Sequence, residues 1–264
     1  MEPRTLFDLE SHGPDTFVGI GPRYPWGGLF GGQIVAQSLR AAAATVAPEQ
    51  QVHSLRAYFI RRGDHTEPIR FEVDRIRNGR SFSTRRVVAR QAIGAILNLE
   101  ASFQTLEDTA DIQTVPMPAS VVGPEELPSD AWSGSFDRRD VPHGALPDDE
   151  RTGLGRNAAW MRVTEELGDD QLVHRCWLAY MSDDMPADAV RRSHPEFHGV
   201  EGITYVASLD HTIWFHRPLR ADQWHLYDVT CHSFVGARGL SVGHVFAEDG
   251  THVATMAQEV LVRD

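Results

Sequence analysis

Three segments of this 264-residue chain place polar groups where an apolar framework does not need them. The first is LAYMSDD, Leu178–Asp184, an apolar run that ends in two carboxylates. An Asp at a helix start can simply cap free N–H groups. The sharper reading is a buried Asp183 that serves a substrate. The second segment is ASLDHTIWFHRP, Ala207–Pro218, where Ser208, Asp210 and Thr212 alternate with Leu209, His211 and Ile213. Alternation predicts that the polar set shares one face of a strand. A half-solvated face would suffice to explain it, but Trp214 and Phe215 just beyond argue against an exposed edge. The third is THVATMAQEVLVR, Thr251–Arg263, with Gln258 inside an apolar run. A buried amide costs a few kcal/mol unless it is hydrogen-bonded, and a contact to the backbone would satisfy it.

Common catalytic signatures are absent. There is no GxSxG elbow, HExxH, Walker A, CxxC or GxGxxG opening a βαβ unit. The thirteen histidines are scattered, and His211 and His216 should point to opposite faces of a strand, so no metal site is expected. Cys176 and Cys231 are read as free buried thiols in a reducing cytoplasm. The N-terminus lacks a basic start followed by an apolar core, and no apolar run is long enough to span a membrane.

The formal charge of -12 disfavours a nonspecific nucleic-acid binder. Most of it sits in residues 105–150, which hold eleven acidic and two basic side chains together with six prolines. Proline blocks regular structure, so this stretch reads as a long, mostly irregular connector. Val115, Val121, Trp132 and Phe136 within it need apolar surface to pack on. It separates residues 1–104 from 151–264.

Each flanking half reads as a helix followed by an antiparallel sheet, an α+β order. In the first, Gly32–Ala47 has helical periodicity and strands follow at His53–Ile60, Ile69–Arg77, Ser81–Arg90 and Ala95–Gln104. In the second, Ala158–Glu165 and Gln171–Tyr180 read as strands and DDMPADAVRR as the helix start. Strands at Val206–Trp214, Trp224–Phe234, Gly239–Phe246 and His252–Val262 complete it. A shift of 156 superposes the halves without a gap: Phe59 on Phe215, Arg61 on Arg217, Val73 on Val229, Gly94 on Gly250. Under that shift Gln258 falls on Ser102 and Ser208 on Val52, and Gly27–Gly32 has no carboxylate to match Asp183. The polar trio is unique to the second half, which favours one active site over two.

The motifs GGLFGGQIVAQSL, VHSLRAYFIRRGD, RIRNGRSFSTRRV, LEASFQ, LAYMSD, SLDHTIWFHRP, ARG and MAQE occur in one order along nearly the whole chain. In this the sequence resembles the acyl-CoA thioesterase II family. The resemblance implies a double hotdog, two antiparallel sheets each wrapped around a long helix. Residues 1–104 would be the N-terminal hotdog, 105–150 the connector and 151–264 a C-terminal hotdog carrying the active site. It implies hydrolysis of acyl-CoA to free acid and CoA without a cofactor. Asp183, Ser208 and Gln258 correspond to the family's Asp, Thr-or-Ser and Gln, which hold and activate a water. Asp183 would be the general base, Ser208 and Gln258 would orient the water, and backbone N–H groups near a helix start would hold the oxyanion.

Candidate contacts for the CoA phosphates are Arg61, Arg62, Arg85, Arg86, Arg217 and Arg238. A cytoplasmic homo-oligomer, dimer or tetramer, is the expected form. The rival readings are an acyl-CoA-binding protein without turnover and a hotdog enoyl-CoA hydratase or dehydratase. The latter would need a His with a carboxylate at the helix.

Overall fold

An alanine-rich segment that follows a glycine pair forms α1, Gly31–Ala43, in a computed structural model that describes residues 3–146, 155–193 and 205–263. Ten of the thirteen residues of α1 are buried, because it is enclosed rather than laid on a surface. It packs against β3 (Gln50–Phe59), β4 (Ile69–Asn78), β5 (Phe82–Gln91) and β6 (Gly94–Thr105). The helix stops short of the expected Ala47. There Arg85, only 1% exposed, donates to Thr45 Oγ1 at 2.7 Å and to the Thr45 carbonyl at 2.8 Å. A cation is favourable at that end of a helix.

The chain begins with β1 (Glu10–Ser11) and β2 (Thr16–Gly19). Its second half contains β8 (Arg156–Val163), α2 (Gln171–Met181), α3 (Pro186–Ser193), β9 (Tyr205–Ser208), β10 (Asp210–Phe215), β11 (His225–Val235), β12 (Arg238–Ala247) and β13 (His252–Arg263). Gln171–Tyr180 is therefore a helix and not the expected strand. Its apolar residues run almost without a break, and periodicity cannot separate helix from strand in such a run. The deciding signal is Asp170, whose carboxylate accepts from the Leu172 N–H at 2.9 Å as an N-cap. α2 follows β8 and packs chiefly against α1. The expected helix at DDMPADAVRR exists as α3, which lies over β8, β9, β11, β12 and β13 as α1 lies over β2, β3, β4, β5 and β6, and so is its counterpart in the second half.

The fold is the double hotdog, with one refinement. The two expected sheets join edge to edge through antiparallel pairing of β3 with β10, Tyr58 opposite Asp210 and Leu55 opposite Ile213. The result is one continuous antiparallel sheet in the order β1-β2-β4-β5-β6-β3-β10-β13-β12-β11-β8, closed at its far edge by Phe136–Asp140, with β9 also on β13. Strand β7 (Phe136–Asp140) comes from the connector and pairs with β8. Val115, Met117, Val121 and Leu127 pack on Trp160, Trp224 and Phe246. Pro147 and the acidic residues 148–150 lie outside the described residues.

The duplication is visible in irregularities as well as in strands. Register shifts at Val52/Ser54, Arg75/Arg77 and Ala89/Arg90 in the first half recur 156 residues on, at Ser208/Asp210, Cys231/Ser233 and Val245/Phe246. No helix among the described residues is long and apolar enough to cross a membrane.

The halves also meet through α1 against α2. At Gly32 a Cβ would lie 2.2 Å from the Tyr180 carbonyl oxygen, a backbone atom that cannot swing away. Gly32→Ala should therefore destabilise the protein by about 1–3 kcal/mol through forced separation of the helices, although alanine is the better helix former. Urea unfolding checks this, and a Gly32→Ala variant as stable as the parent would contradict it.

Candidate active site

Asp183 follows the C-terminal end of α2, where Ser182 is the cap residue. The side chain is 8% exposed and its Oδ1 accepts no hydrogen bond from the described residues. The opposite oxygen faces the first turn of α1 from the other half: a Cβ on Gly31 would sit 2.5 Å from Asp183 Oδ2. Gly27–Gly32, which the shift of 156 lays over the Asp183 segment, is thus also its spatial partner. Phe30, the N-cap residue of α1, makes no side-chain cap, so the first N–H groups of the helix stay available. Burial pushes the Asp183 carboxyl up to about 7. Hydrogen bonding from Gln258 and from the Gly32 N–H draws it back, while the neighbouring Asp184 charge adds to the rise.

Ser208 reaches the same place through a bulge. β9 pairs Ser208 with Val260, whereas β10 pairs Thr212 with Ala257, so two residues of this strand oppose one of β13. The expected shared face of Ser208, Asp210 and Thr212 is broken there. Asp210 turns outward to Arg56 at 3.1 Å and lines an outer groove with Thr212, whereas Ser208 turns inward. Gln258, fully buried on β13, donates from Nε2 to Ser208 Oγ at 2.7 Å. Asp183, Ser208 and Gln258 are therefore brought together from three elements.

Asp183 and Ser208 line a cavity of about 570 Å³ whose walls come from both halves. Trp26, Leu29, Phe59, Val206 and Leu261 make it largely apolar. Arg61 and Arg62 line it too. Arg61 donates to the Ala95 carbonyl at 2.8 Å and Arg62 to the Trp26 carbonyl at 2.9 Å, so neither bond is to a carboxylate. The other four arginines do not line it. Arg85 is spent inside the fold, on Thr45, Arg77, Thr84 and Asn78, which does not fit its expected place at a substrate. Arg86 pairs with Asp74, Arg217 with Asp111 and the His252 carbonyl, and Arg238 with Glu259.

Three features were not legible from spacing. His211, fully buried on β10, lies 2.5 Å from Gln258 Oε1 through Nδ1. Asp184 is held by the connector, accepting from Trp132 Nε1 at 2.6 Å and from Arg138 Nη1 at 2.7 Å. Burial alone would lower the pKa of Arg138, but Asp184, Asp140 and Asp188 around it raise it. The scattered histidines also include three that converge: His216 Nε2, His252 Nε2 and His244 Nδ1 lie 2.9, 3.2 and 3.5 Å from Thr255 Oγ1. Among the described residues, no group of three or more His, Cys, Asp or Glu has the geometry to hold a metal ion.

The chain matches two family models, the acyl-CoA thioesterase N-terminal domain over residues 21–104 and the acyl-CoA thioesterase C-terminal domain over residues 110–262. It is 34% identical to acyl-coenzyme A thioesterase 8 of Homo sapiens, over 98% of this chain and 88% of that protein. It is also 34% identical to acyl-CoA thioesterase 2 of Haemophilus influenzae, over 89% and 87% of the two chains. The crystal structure of an acyl-CoA thioesterase II, TesB2, from Mycobacterium marinum superposes with a TM-score of 0.86 at 39% identity, covering 100% of this chain and 97% of that one.

The raised Asp183 pKa has a consequence for stability. The folded carboxyl titrates near 7 and the unfolded one near 3.8, so the folded state holds its proton longer. Stability therefore falls as pH rises from about 4 to 7 and stays lower above it. Asp183→Asn removes that cost and should stabilise the protein at pH 8 by on the order of 2–4 kcal/mol, with little gain near pH 4. Urea unfolding at both pH values checks this; an equal difference at the two would contradict it.

Proposed function

This chain belongs to the acyl-CoA thioesterase II family, and from that membership we propose that it hydrolyses acyl-CoA thioesters with a water activated by Asp183. The observation that carries the reading is the Asp183 carboxylate itself. It is buried, raised in pKa into the working range of a general base, and lines an apolar cavity, and its Oδ1 takes no donor from the described residues.

In this reaction Asp183 takes a proton from water as the water oxygen bonds to the thioester carbonyl carbon. Ser208 and Gln258 orient the water and the carboxylate. Negative charge gathers on the former carbonyl oxygen, where the open N–H groups of the first turn of α1 are the available donors. Collapse of the adduct breaks the carbon–sulfur bond, and the proton on Asp183 passes to the departing CoA sulfur. The apolar wall of Trp26, Leu29, Phe59 and Leu261 suits an acyl chain. Arg61 and Arg62, the two cavity arginines of the six, suit the anionic CoA.

Ser208 as nucleophile is the weaker route. Its hydroxyl accepts from Gln258 Nε2, and the nearest histidine of the network, His211, lies behind that amide. No histidine is among the described residues lining the cavity, which also leaves a dehydratase without its acid–base pair.

Thiol release from octanoyl-CoA and palmitoyl-CoA tests the activity, and no turnover across short, medium and long acyl chains would overturn it. Asp183→Asn should lower kcat by roughly 100- to 10,000-fold. Ser208→Ala and Gln258→Ala should lose less, and Ser208→Thr should be tolerated. A covalent acyl adduct on Ser208 by intact mass, with Ser208→Ala the most damaging change, would contradict water activation. KM for CoA substrates should rise with ionic strength, and Arg61→Ala with Arg62→Ala should flatten that dependence. A salt-independent KM would remove those arginines from the site.

A further inference from the structure

We propose that His211, braced by Ser182, fixes the orientation of the Gln258 amide and so acts as a positioning residue for hydrolysis. The inference rests on the reading of Asp183, Ser208 and Gln258 given above.

Four side chains form one unbroken chain of hydrogen bonds. Ser182 Oγ lies 2.8 Å from His211 Nε2, His211 Nδ1 lies 2.5 Å from Gln258 Oε1, and Gln258 Nε2 lies 2.7 Å from Ser208 Oγ. The chain starts on the residue before Asp183 and ends in the cavity that Asp183 lines. Ser182, His211 and Gln258 are all fully buried, so water does not substitute for the two bonds that join them.

The direction of the chain is fixed by donor counting. An amide has one acceptor end and one end with two donors. With Oε1 toward His211, the two Nε2 hydrogens are free for Ser208 Oγ and for the Asp183 carboxylate. Turned over, the amide would aim its carbonyl oxygen at a carboxylate. The carboxylate on one side and an N–H donor at Nδ1 of the imidazole on the other favour the same orientation, and the imidazole is the partner that holds Oε1. Burial lowers the His211 pKa to about 4, so the ring is neutral near pH 7 and carries a single N–H. A donor at Nδ1 requires an acceptor at Nε2. The Ser182 hydroxyl has one proton, which can go to the Ala179 carbonyl at 3.1 Å or to Nε2 at 2.8 Å, and the positioning chain uses the second of these. Asp210, the adjacent charge on the same strand, is turned to Arg56 and the Glu259 N–H and does not enter the chain.

A histidine that merely filled the core would affect stability alone. A positioning role also alters the base, because Gln258 is one of the donors that hold the Asp183 pKa down. The other groups facing Asp183 are Asp184, Tyr180 and the Gly32 N–H, with Arg61 and Arg62 in the same cavity, and these stay in place.

The test compares kcat, KM and the pH–rate profile of His211→Phe, His211→Asn and Ser182→Ala with the parent and with Asp183→Asn. Phe keeps the volume and loses the donor, while Asn carries an N–H near the position of Nδ1. His211→Phe should lower kcat about 10- to 100-fold with KM changed by less than about threefold. Its ascending pH limb should move to higher pH. His211→Asn should recover most of kcat and the parental limb. Ser182→Ala, which frees the tautomer, should shift both in the direction of His211→Phe, and it carries the test if the Phe variant does not fold. Parental kcat and pH limb in folded His211→Phe or in Ser182→Ala would overturn the proposal, as would equal losses in Phe and Asn variants with no shift of the limb. An active Asp183→Asn would instead overturn the reading on which the proposal rests.

Discussion

A carboxylate with so little access to water needs support, and at Asp183 that support comes from across the junction of the two halves. The first turn of α1 offers open N–H groups, and Gly31 and Gly32 have no side chains to keep the helix away. A Cβ at either position would strike Asp183 or the Tyr180 carbonyl. The same close approach brings α1 against α2 and sets Phe30 on Tyr180, with ring centroids 4.9 Å apart. Sheet continuity through β3 and β10 then fixes the two halves in one arrangement. Neither half has a complete site. The second supplies the polar trio, and the first supplies the helix dipole, much of the apolar wall and the two cavity arginines.

The acidic connector has a part in this geometry that its composition conceals. Trp132 sits among Tyr24, Trp26, Phe30 and Tyr180, and its indole N–H meets Asp184. Arg138, on the connector strand β7, binds the same carboxylate. The charge beside the catalytic candidate is therefore compensated, while no cation among the described residues pairs with Asp183. Two adjacent aspartates have different environments: burial raises both carboxyls, but at Asp184 the Arg138 guanidinium and the Trp132 indole oppose the rise, and no such cation faces Asp183 among the described residues.

Much of the fold was legible because its signals were local. The β4, β5 and β6 strands fall within one or two residues of the expected spans, since alternation and turn residues such as RNGR mark them. The helix α2 was not legible, because Leu172–Tyr180 is mostly apolar and its one clear marker is the Asp170 cap. The Ser208 face was misread for a related reason: a one-residue bulge inverts alternation, and nothing in the composition of Ser208–Asp210 announces it. Its counterpart near His53 shows that the device belongs to the duplicated unit. The grouping of Asp183, Ser208 and Gln258 came from the family resemblance. The link through His211 required the structure, because 47 residues separate it from Gln258. Arg85 illustrates the opposite case, a basic residue in a suggestive motif whose N–H groups close the end of α1.

The central claim is that the buried carboxylate of Asp183 is the base. The most direct test is the pH dependence of kcat/KM for one acyl-CoA substrate, measured for the parent and for Asp183→Asn. The parent should show an ascending limb with an apparent pKa of about 7, where burial has pushed this carboxyl, and the residual activity of the Asn variant should lack that limb. The same limb in both proteins would show that another group accepts the proton, and the account would be wrong.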